Sequence, residues 1–392
     1  MSRFKFIADS FSQRVAQRRI GAPAAMLLGV LLGLSVVGCG SDEEVQDEAE
    51  LQVGFDDATM AELKGVGLDR YIGEFEPDEV RDYGEGLYGF QFAADENGPI
   101  CLWGDPYAFG LLDQGSEDLL IYLQGGGACW SELCSANTKA GDRVPTLGWT
   151  DPSSEQNPFY GYNMAHVAYC DGSVFSGDNE IDQGDGTIRY HHGLANLTAA
   201  MDVLKERYPE PKRIALVGSS AGGYGTIIGT AAVRMQWPHT HLDVINDAGL
   251  GLTNPERPET LENFKSEWKF DQFIPPSCET CQEGQFSEMI AWALERDPSL
   301  RVGAFSSYED AVIGGVFLGM AGPDFKALLL EETGSIHERS PDRFNRFYIA
   351  GSQHTAAIGL YDHQVDGTLL TTWVDEMLDA DPEWPDLLQS DD

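Results

Sequence analysis

The sequence has few basic side chains. Its 392 residues include 25 lysines and arginines against 64 aspartates and glutamates, which gives a formal net charge of −39 at pH 7. A surface with this charge repels polyanions, so we expect no nucleic-acid partner and regard an anionic polysaccharide as an unfavourable substrate. Solubility is an alternative explanation for the same charge.

Several other features are missing. No internal repeat and no low-complexity linker follows Glu50, which favours one large domain. The glycine run at residues 124–129 lacks the GKS or GKT of a phosphate-binding loop. No second CxxC pair and no HxxxH pair lies near Cys278 and Cys281, which disfavours zinc there. The sequence therefore predicts no cofactor and no metal.

The first 38 residues resemble an export signal, with basic side chains followed by an apolar run at residues 24–37. This run is shorter than the roughly 17–25 residues of a membrane span. It ends at Val36-Val37-Gly38-Cys39, which resembles the bacterial lipobox, whose cysteine is lipidated. An ordinary secretory signal is the alternative. We expect an exported lipoprotein, periplasmic, anchored in the outer membrane or at the cell surface, with membrane contact only through a lipid on Cys39.

The rest of the chain is expected to form an acidic tether at residues 39–55 and one domain at residues 56–392. The segment from Ser41 to Glu50 is too acidic and too poor in apolar residues to fold alone. The oligomeric state is left open by the sequence.

Short apolar runs alternate with helical patterns along the domain. Several of the runs lack polar alternation, as do strands buried on both faces. Such an order predicts βαβ crossovers and a mostly parallel sheet with helices on both faces, whose ligands bind at the carboxyl ends of the strands. The predicted strands are residues 119–123, 166–170, 213–217, 242–245, 301–305 and 346–350, and the predicted helices are 194–207, 222–235, 286–295, 308–320 and 367–378.

The motif Gly218-Ser219-Ser220-Ala221-Gly222 stands directly between a predicted strand and a predicted helix. This is the context of the G-x-S-x-G nucleophile elbow, in which the glycines permit a sharp turn and expose the serine hydroxyl. It predicts an α/β-hydrolase fold with Ser220 as the nucleophile.

A serine hydroxyl needs a base, and the base needs a carboxylate that orients it. Among the eight histidines, His354 follows a predicted strand by a short loop at the edge where Ser220 lies. The other histidines precede a strand, begin one or lie further along a loop, and His191 and His192 are expected to form a surface pair. In this fold the acid lies between nucleophile and base in the chain. Asp310 follows a predicted strand and is preferred, with Asp247 and Glu309 as rivals.

The hydrolysis of an ester also needs donors for the developing oxyanion. The glycine run follows the strand predicted at 119–123 and exposes backbone N–H groups at that strand's end. We expect the amides of Gly126, Gly127 and Ala221 to form the oxyanion hole.

These motifs together resemble the pectin acetylesterases of plants and bacteria and the related animal carboxylesterase Notum. The resemblance extends from about Cys101 to His354. It rests on the glycine run with Cys129, on Tyr169-Cys170-Asp171-Gly172-Ser173, on the elbow, on Asp247-Ala248-Gly249 and on Gln353-His354-Thr355. It implies the same triad, Ser220, Asp310 and His354, and the same three oxyanion amides. It also implies the disulfides Cys101–Cys170, Cys129–Cys134 and Cys278–Cys281, of the fifteen connectivities that six cysteines permit.

Two features depart from the family pattern. Ala128 precedes the cysteine of the glycine run, where the family usually has tryptophan, and Trp130 follows that cysteine. Residues 177–186 are unusually acidic, although their spacing does not match a calcium-binding loop. The predicted function is a serine carboxylesterase that removes acetyl or another acyl group from a glycan. The alternatives are a lipoprotein that uses the fold as a binding scaffold, or a lipase or peptidase.

Overall fold

A mixed β-sheet runs through the computed structural model, which describes residues 52–283 and 285–390. Within these residues the sheet has ten strands, in the order β1-β2-β3-β5-β4-β6-β7-β8-β9-β10. The strands are β1 Glu79–Gly84, β2 Leu87–Phe92, β3 Tyr107–Leu112, β4 Asp118–Leu123, β5 Asn163–Val167, β6 Arg213–Ser219, β7 His241–Asp247, β8 Arg301–Ser307, β9 Phe344–Ile349 and β10 Leu387–Leu388.

Neighbouring strands from β5 across to β10 are parallel, whereas β1, β2 and β3 pair antiparallel with one another and β3 pairs antiparallel with β5. The predicted, mostly parallel sheet is confirmed. Strand β5 begins three residues before the predicted start at His166 and ends at Val167, because the polar Asn163 and the small Ala165 are buried in the sheet with their neighbours.

Helices cover both faces of this sheet. Alternate residues of the strands belong to two separate cores: Ile214 and Leu216 of β6 lie in one core, and Ala215 and Val217 lie in the other. This is the α/β-hydrolase arrangement that the sequence predicts. The helices are α1 Asp57–Gly65, α2 Gly193–Arg207, α3 Ala221–Gln236, α4 Pro258–Trp268, α5 Glu279–Glu283, α6 Glu288–Arg296, α7 Gly322–Arg339 and α8 Leu370–Leu378.

Two predicted helices are shorter than expected. The helix predicted at 308–320 is a π-helix over Ala311–Phe317, and it begins there because Asp310 caps its first N–H groups. The helix predicted at 367–378 begins only at Leu370, since Thr368–Leu369 pairs with Gln364–Val365 as a short hairpin.

The three predicted disulfides are present: Cys101–Cys170, Cys129–Cys134 and Cys278–Cys281. The first joins the chain before β3 to the chain after β5, and it closes a loop of 69 residues. The second closes the hairpin formed by Gly127–Cys129 and Cys134–Ala136. These covalent links restrict the unfolded chain and so stabilise the fold.

The predicted signal peptide at 1–38, Cys39 and residues 39–51 of the predicted tether lie outside the described residues and stay predictions. At the other end of that tether range, the Gly54 amide donates to Asp297 Oδ1 at 3.1 Å and Phe55 packs edge-on against Trp292. Within residues 52–283 and 285–390, no single helix has the length and apolarity of a membrane span. The helix Ala311–Phe317 and α7 reach that length and apolarity only when taken together, and the angle between them is 109°.

Candidate active site

Ser220 stands between the end of β6 and the first residue of α3, with φ 59° and ψ −118°. A positive φ strains a residue other than glycine, and such strain persists only where the surroundings enforce it. Here the Ser220 amide donates to the carbonyl of Asp247 at 2.8 Å. The Ser220 side chain makes no capping bond to α3, so its hydroxyl is not used to hold the helix.

Steric contacts around the turn explain the two glycines of the motif. A Cβ on Gly218 would lie 2.0 Å from the carbonyl oxygen of Gly222, and a Cβ on Gly222 would lie 1.9 Å from the carbonyl oxygen of Leu123. No larger residue fits at either position while α3 crosses β6 and β4 this closely. The strand–turn–helix geometry predicted for the elbow is therefore present.

His354 and Asp310 form a direct pair, with 2.8 Å between His354 Nδ1 and Asp310 Oδ2. The Asp310 side chain is fully buried, whereas 20% of the His354 side chain is exposed. A histidine that donates from Nδ1 to a carboxylate keeps its lone pair on Nε2, which is the tautomer that a general base needs.

Backbone contacts hold the two loops of this pair together. The Glu309 amide donates to the Gly351 carbonyl at 2.9 Å, and the Ala311 amide donates to the Ser352 carbonyl at 3.2 Å. The second oxygen of Asp310 accepts the N–H groups of Val312 and Ile313, at 2.8 and 2.9 Å. The carboxylate is thus fixed from both sides before any substrate binds.

The rival acids do not contact the His354 ring. Glu309 is exposed. Asp247 is fully buried, and burial raises its pKa. Its oxygens accept hydrogen bonds from Ser219, Trp149 and the amide of Ala356. In the part of the chain that the structure describes, no hydrogen bond joins Ser220 to His354; apo catalytic sites often close such bonds only with substrate.

The expectation that His191 and His192 form a surface pair is wrong, because both side chains are buried. His191 Nδ1 lies 3.0 Å from the Asp171 carbonyl, and His192 Nδ1 lies 2.8 Å from the Gly98 carbonyl. Burial lowers the pKa of His191 to about 3. Both residues stand where the hairpin strand Ile188–His191 joins α2, and this junction packs into the body of the domain.

Gly127 and Ala221, two of the predicted oxyanion donors, line one small cavity together with Ser220. Gly127 has φ +81°, and a Cβ there would lie 1.8 Å from the Ser135 carbonyl oxygen. The third predicted donor, Gly126, is the residue before Gly127 in the chain and does not line this cavity. Its carbonyl accepts a hydrogen bond from the Asn137 amide at 2.7 Å. The first turn of α3 adds the positive end of a helix dipole, which favours a developing negative charge.

The cavity beside Ser220 is apolar and has a volume of about 40 Å³. One buried water occupies roughly 10–15 Å³ on the same scale, so the space holds about three waters or a very small acyl group. Besides Gly127, Ser220 and Ala221, its walls are Ala128, Val174, Tyr224, Val312, Ile313 and Phe317. Ala128, where the family usually has tryptophan, therefore borders the space next to the nucleophile.

A second apolar cavity of about 20 Å³ lies behind the first, and Val174, Tyr224 and Phe317 border both. Phe317 belongs to an aromatic cluster. Its ring stacks on Phe264 at 5.2 Å and meets Trp130 edge-on at 5.6 Å. Trp130, displaced by two positions from the family's tryptophan, thus packs against a side chain that borders both cavities.

The acidic residues 177–186 have structural partners. Asp178 accepts hydrogen bonds from Arg70 and Tyr71, and Asp185 accepts the amide of Thr187 at 3.0 Å within a turn. Among the described residues, no group of three or more His, Cys, Asp and Glu side chains is placed to hold a metal ion.

Residues 90–284 match the pectinacetylesterase family model. Over this segment, which is just under half of the chain, the sequence resembles the pectinacetylesterase family. Pectin acetylesterase 4 of Arabidopsis thaliana is 36% identical over 149 residues, which cover 34% of this chain and 36% of the relative. Pectin acetylesterase 5 of the same plant is 31% identical over 178 residues, 42% of each chain. Palmitoleoyl-protein carboxylesterase notum1a of Danio rerio is 28% identical over 175 residues, 40% of this chain and 35% of the relative.

The chain thus spans only 35–42% of the length of these three relatives. The family segment contains the glycine run, the Ser220 elbow and Asp247, but it ends at residue 284, before Asp310 and His354. Asp310 and His354 lie outside the matched segment, and their pairing is seen in the geometry alone.

Proposed function

We propose that this protein is a serine carboxylesterase with Ser220 as nucleophile, His354 as base and Asp310 as the acid that orients it. The observation that carries the proposal is the Asp310–His354 contact of 2.8 Å, which connects two loops at the same sheet edge as the strained Ser220 turn. A buried carboxylate, a histidine and a serine at a strained turn are the three groups that acyl transfer to a serine requires.

In the proposed first step, Ser220 Oγ attacks the ester carbonyl while His354 Nε2 takes the hydroxyl proton. The amides of Gly126, Gly127 and Ala221 stabilise the oxyanion, and Asp310 stabilises the imidazolium. His354 then gives the proton to the leaving alcohol, and the acyl group remains on Ser220. In the second step His354 activates a water that releases the carboxylic acid and restores the serine. The chain's own residues suffice for both steps, so the proposal includes no cofactor.

The acyl group is proposed to be acetyl. A cavity of about 40 Å³ beside Ser220 fits a methyl group, and Phe317, Val174 and Tyr224 stand at its border with the second cavity. The printed names of the relatives include both pectin acetylesterases and palmitoleoyl-protein carboxylesterases. Of these two acyl sizes, the small cavity supports the smaller.

For the alcohol portion we propose a glycan, on the strength of the pectin acetylesterases among the relatives. The net charge of −39 makes a neutral acetylated glycan a better partner than acidic pectin, because like charges repel during approach. We further propose that the chain is exported and held at the membrane by a lipid on Cys39. Loss of labelling by radioactive palmitate in Cys39→Ser would support that anchor, and unchanged labelling would exclude it.

The catalytic proposal is tested with p-nitrophenyl acetate and a fluorophosphonate probe. Ser220→Ala and His354→Ala should each lower kcat by a factor on the order of 10⁴ or more, since triad members act as a unit. Both should remain folded by circular dichroism. Ser153→Ala, at an exposed turn, serves as the matched control and should keep full activity.

The probe also separates the esterase from a binding scaffold of the same fold. An esterase is labelled at Ser220, as peptide mapping by mass spectrometry would show. A folded wild-type protein that neither reacts with the probe nor hydrolyses short-chain esters would refute the proposed activity. Hydrolysis of peptide anilides or of long-chain esters in preference to acetate would instead identify a peptidase or a lipase.

A further inference from the structure

Asp247, the last residue of β7, is a buried carboxylate that the proposed mechanism leaves without a role. Its Oδ2 accepts hydrogen bonds from Ser219 Oγ at 2.5 Å and from Trp149 Nε1 at 3.0 Å. Its Oδ1 accepts the amide of Ala356 at 2.7 Å. Its backbone carbonyl accepts the amide of Ser220 at 2.8 Å. Both oxygens of the side chain are therefore fully engaged inside the protein.

Three of these four hydrogen bonds, those from Ser219, Ser220 and Ala356, connect the two segments that carry the proposed nucleophile and base. Ser219 and Ser220 form the elbow, and Ala356 stands two residues after His354. Between His354 and Ala356, Thr355 has φ +62°, an unfavourable conformation that the surroundings must enforce. The bond from Ala356 to Asp247 holds the far side of this strained residue in place. One side chain thus links the elbow to the loop of the base.

Trp149 extends the same contact to a third segment, the short 3-10 helix Gly148–Thr150. Its ring is buried and lies beside Phe159, 6.1 Å between the ring centres. A Cβ on Gly148 would lie 3.0 Å from the Ala357 carbonyl oxygen, so this helix also touches the loop of the base directly. The Trp149 segment therefore supports Asp247 and the His354 loop together.

The charged groups around Asp247 do not include a basic partner of the usual kind among the described residues. No lysine or arginine there pairs with this carboxylate, and burial raises its pKa. The titratable groups that face it are Tyr122 of β4, whose pKa burial raises to about 12, and the histidines His354 and His363 of the loop after β9. A buried carboxylate without a cation costs stability, and it persists where its hydrogen bonds serve a purpose.

We infer that Asp247 is a positioning residue, which fixes the elbow of Ser220 relative to the loop of His354 so that the hydroxyl and the imidazole meet when substrate binds. The inference rests on the proposed esterase function. The positioning role explains why Ser220 and His354 are held at one edge of the sheet, although no hydrogen bond joins them within the described structure. A misplacement of about 1 Å between reacting groups lowers the rate on the order of 100-fold, which sets the scale of the expected effect.

The test is Asp247→Asn, which keeps the shape of the side chain but replaces one acceptor oxygen by a donor NH₂. We expect kcat for p-nitrophenyl acetate to fall about 10- to 100-fold while KM changes little, because substrate contacts are unaffected. Asp243→Asn is the matched control, since Asp243 is also fully buried on β7 but pairs with Arg301 and lies away from the elbow. It should lower the melting temperature and leave kcat unchanged.

Two milder variants keep the inference testable if Asp247→Asn fails to fold. Trp149→Phe and Ser219→Ala each remove one donor to Asp247, and both should lower kcat in the same direction but less. If the wild type is active and Asp247→Asn keeps full kcat, the positioning role is wrong but the esterase function stands. The same conclusion follows if Asp247→Asn and Asp243→Asn lose kcat equally. A wild type that hydrolyses no ester would instead overturn the proposed function on which the inference rests.

Discussion

Replacing Phe317 by alanine should let the proposed acetyl site accept longer acyl chains. Phe317, Val174 and Tyr224 border both the cavity beside Ser220 and the apolar cavity behind it. Of the three, Phe317 is partly exposed and lies on the π-helix, so its ring is the one that truncation removes with the least damage to the core. Without the ring, the two spaces become one channel lined by apolar side chains.

The expected change follows from the apolar surface that a longer chain would bury. Each buried methylene contributes about 0.8 kcal/mol, so the four extra methylenes of a hexanoyl group contribute at most about 3 kcal/mol. Since 1.4 kcal/mol is a factor of ten, the ratio of kcat/KM for hexanoate over acetate should rise by up to about 200-fold. The gain appears in this ratio, because chemistry at the carbonyl is the same for both esters.

The assay is a series of p-nitrophenyl esters from acetate to octanoate. Val316→Ala is the control, because Val316 stands next to Phe317 on the same π-helix but is 65% exposed and borders neither cavity. It should keep the wild-type preference for acetate. A Phe317→Ala variant that stays folded and still prefers acetate as strongly as the wild type would refute the assignment of Phe317 as the wall of the acyl site. So would a wild type that already prefers hexanoate.

Two further predictions concern charge. If the substrate is a glycan, kcat/KM on acetylated polygalacturonate should rise between 0.01 and 0.1 M salt, because the Debye length falls from about 30 to about 10 Å and the repulsion is screened. The kcat/KM on acetylated xylan should change little. Equal turnover of both substrates at 0.01 M salt would contradict this prediction. His166 is buried against Tyr122 with its pKa lowered to about 4. Between about pH 6.5 and pH 4, His166 is therefore protonated in the unfolded chain and neutral in the folded chain. The free energy of unfolding should fall over this range as the pH drops, by up to about 3 kcal/mol. His166→Gln should remove this part of the loss in urea titrations, and an unchanged difference between pH 7 and pH 5 would argue against it.

The features that sequence could predict are those set by local sterics. The spacing of Gly218, Ser220 and Gly222 predicts the elbow because the close crossing of strand and helix excludes a Cβ at both glycines. The parallel strands are predictable because their residues are buried on both faces and therefore apolar. Asp310 and His354 are predicted as a pair from the strand ends they follow, and the structure brings them to 2.8 Å.

The features that sequence missed depend on distant contacts. Strand β1 is mostly polar and exposed, and it forms only because β2 pairs with it at the sheet edge. The sequence predicts His191 and His192 as surface residues, but the hairpin before α2 packs into the domain and buries both. The sequence offers Asp247 only as a rival to Asp310, and nothing local shows that the amide of Ala356, 109 positions away, binds it. The one available signal is that Asp247 ends a predicted strand, and so lies at the sheet edge where Ser220 is expected.

The two oxygens of Asp310 have consequences for how this protein can diverge. One oxygen binds His354, and the other accepts the first amides of the π-helix, which also supplies Ile313 and Phe317 to the lining of the proposed acyl pocket. An insertion or deletion in that helix would therefore disturb the acid together with the pocket. Substitutions in this helix can change the pocket without moving Asp310, whereas changes in its length cannot. During evolution the substrate range should therefore change by point mutations, while the length of this segment stays constant.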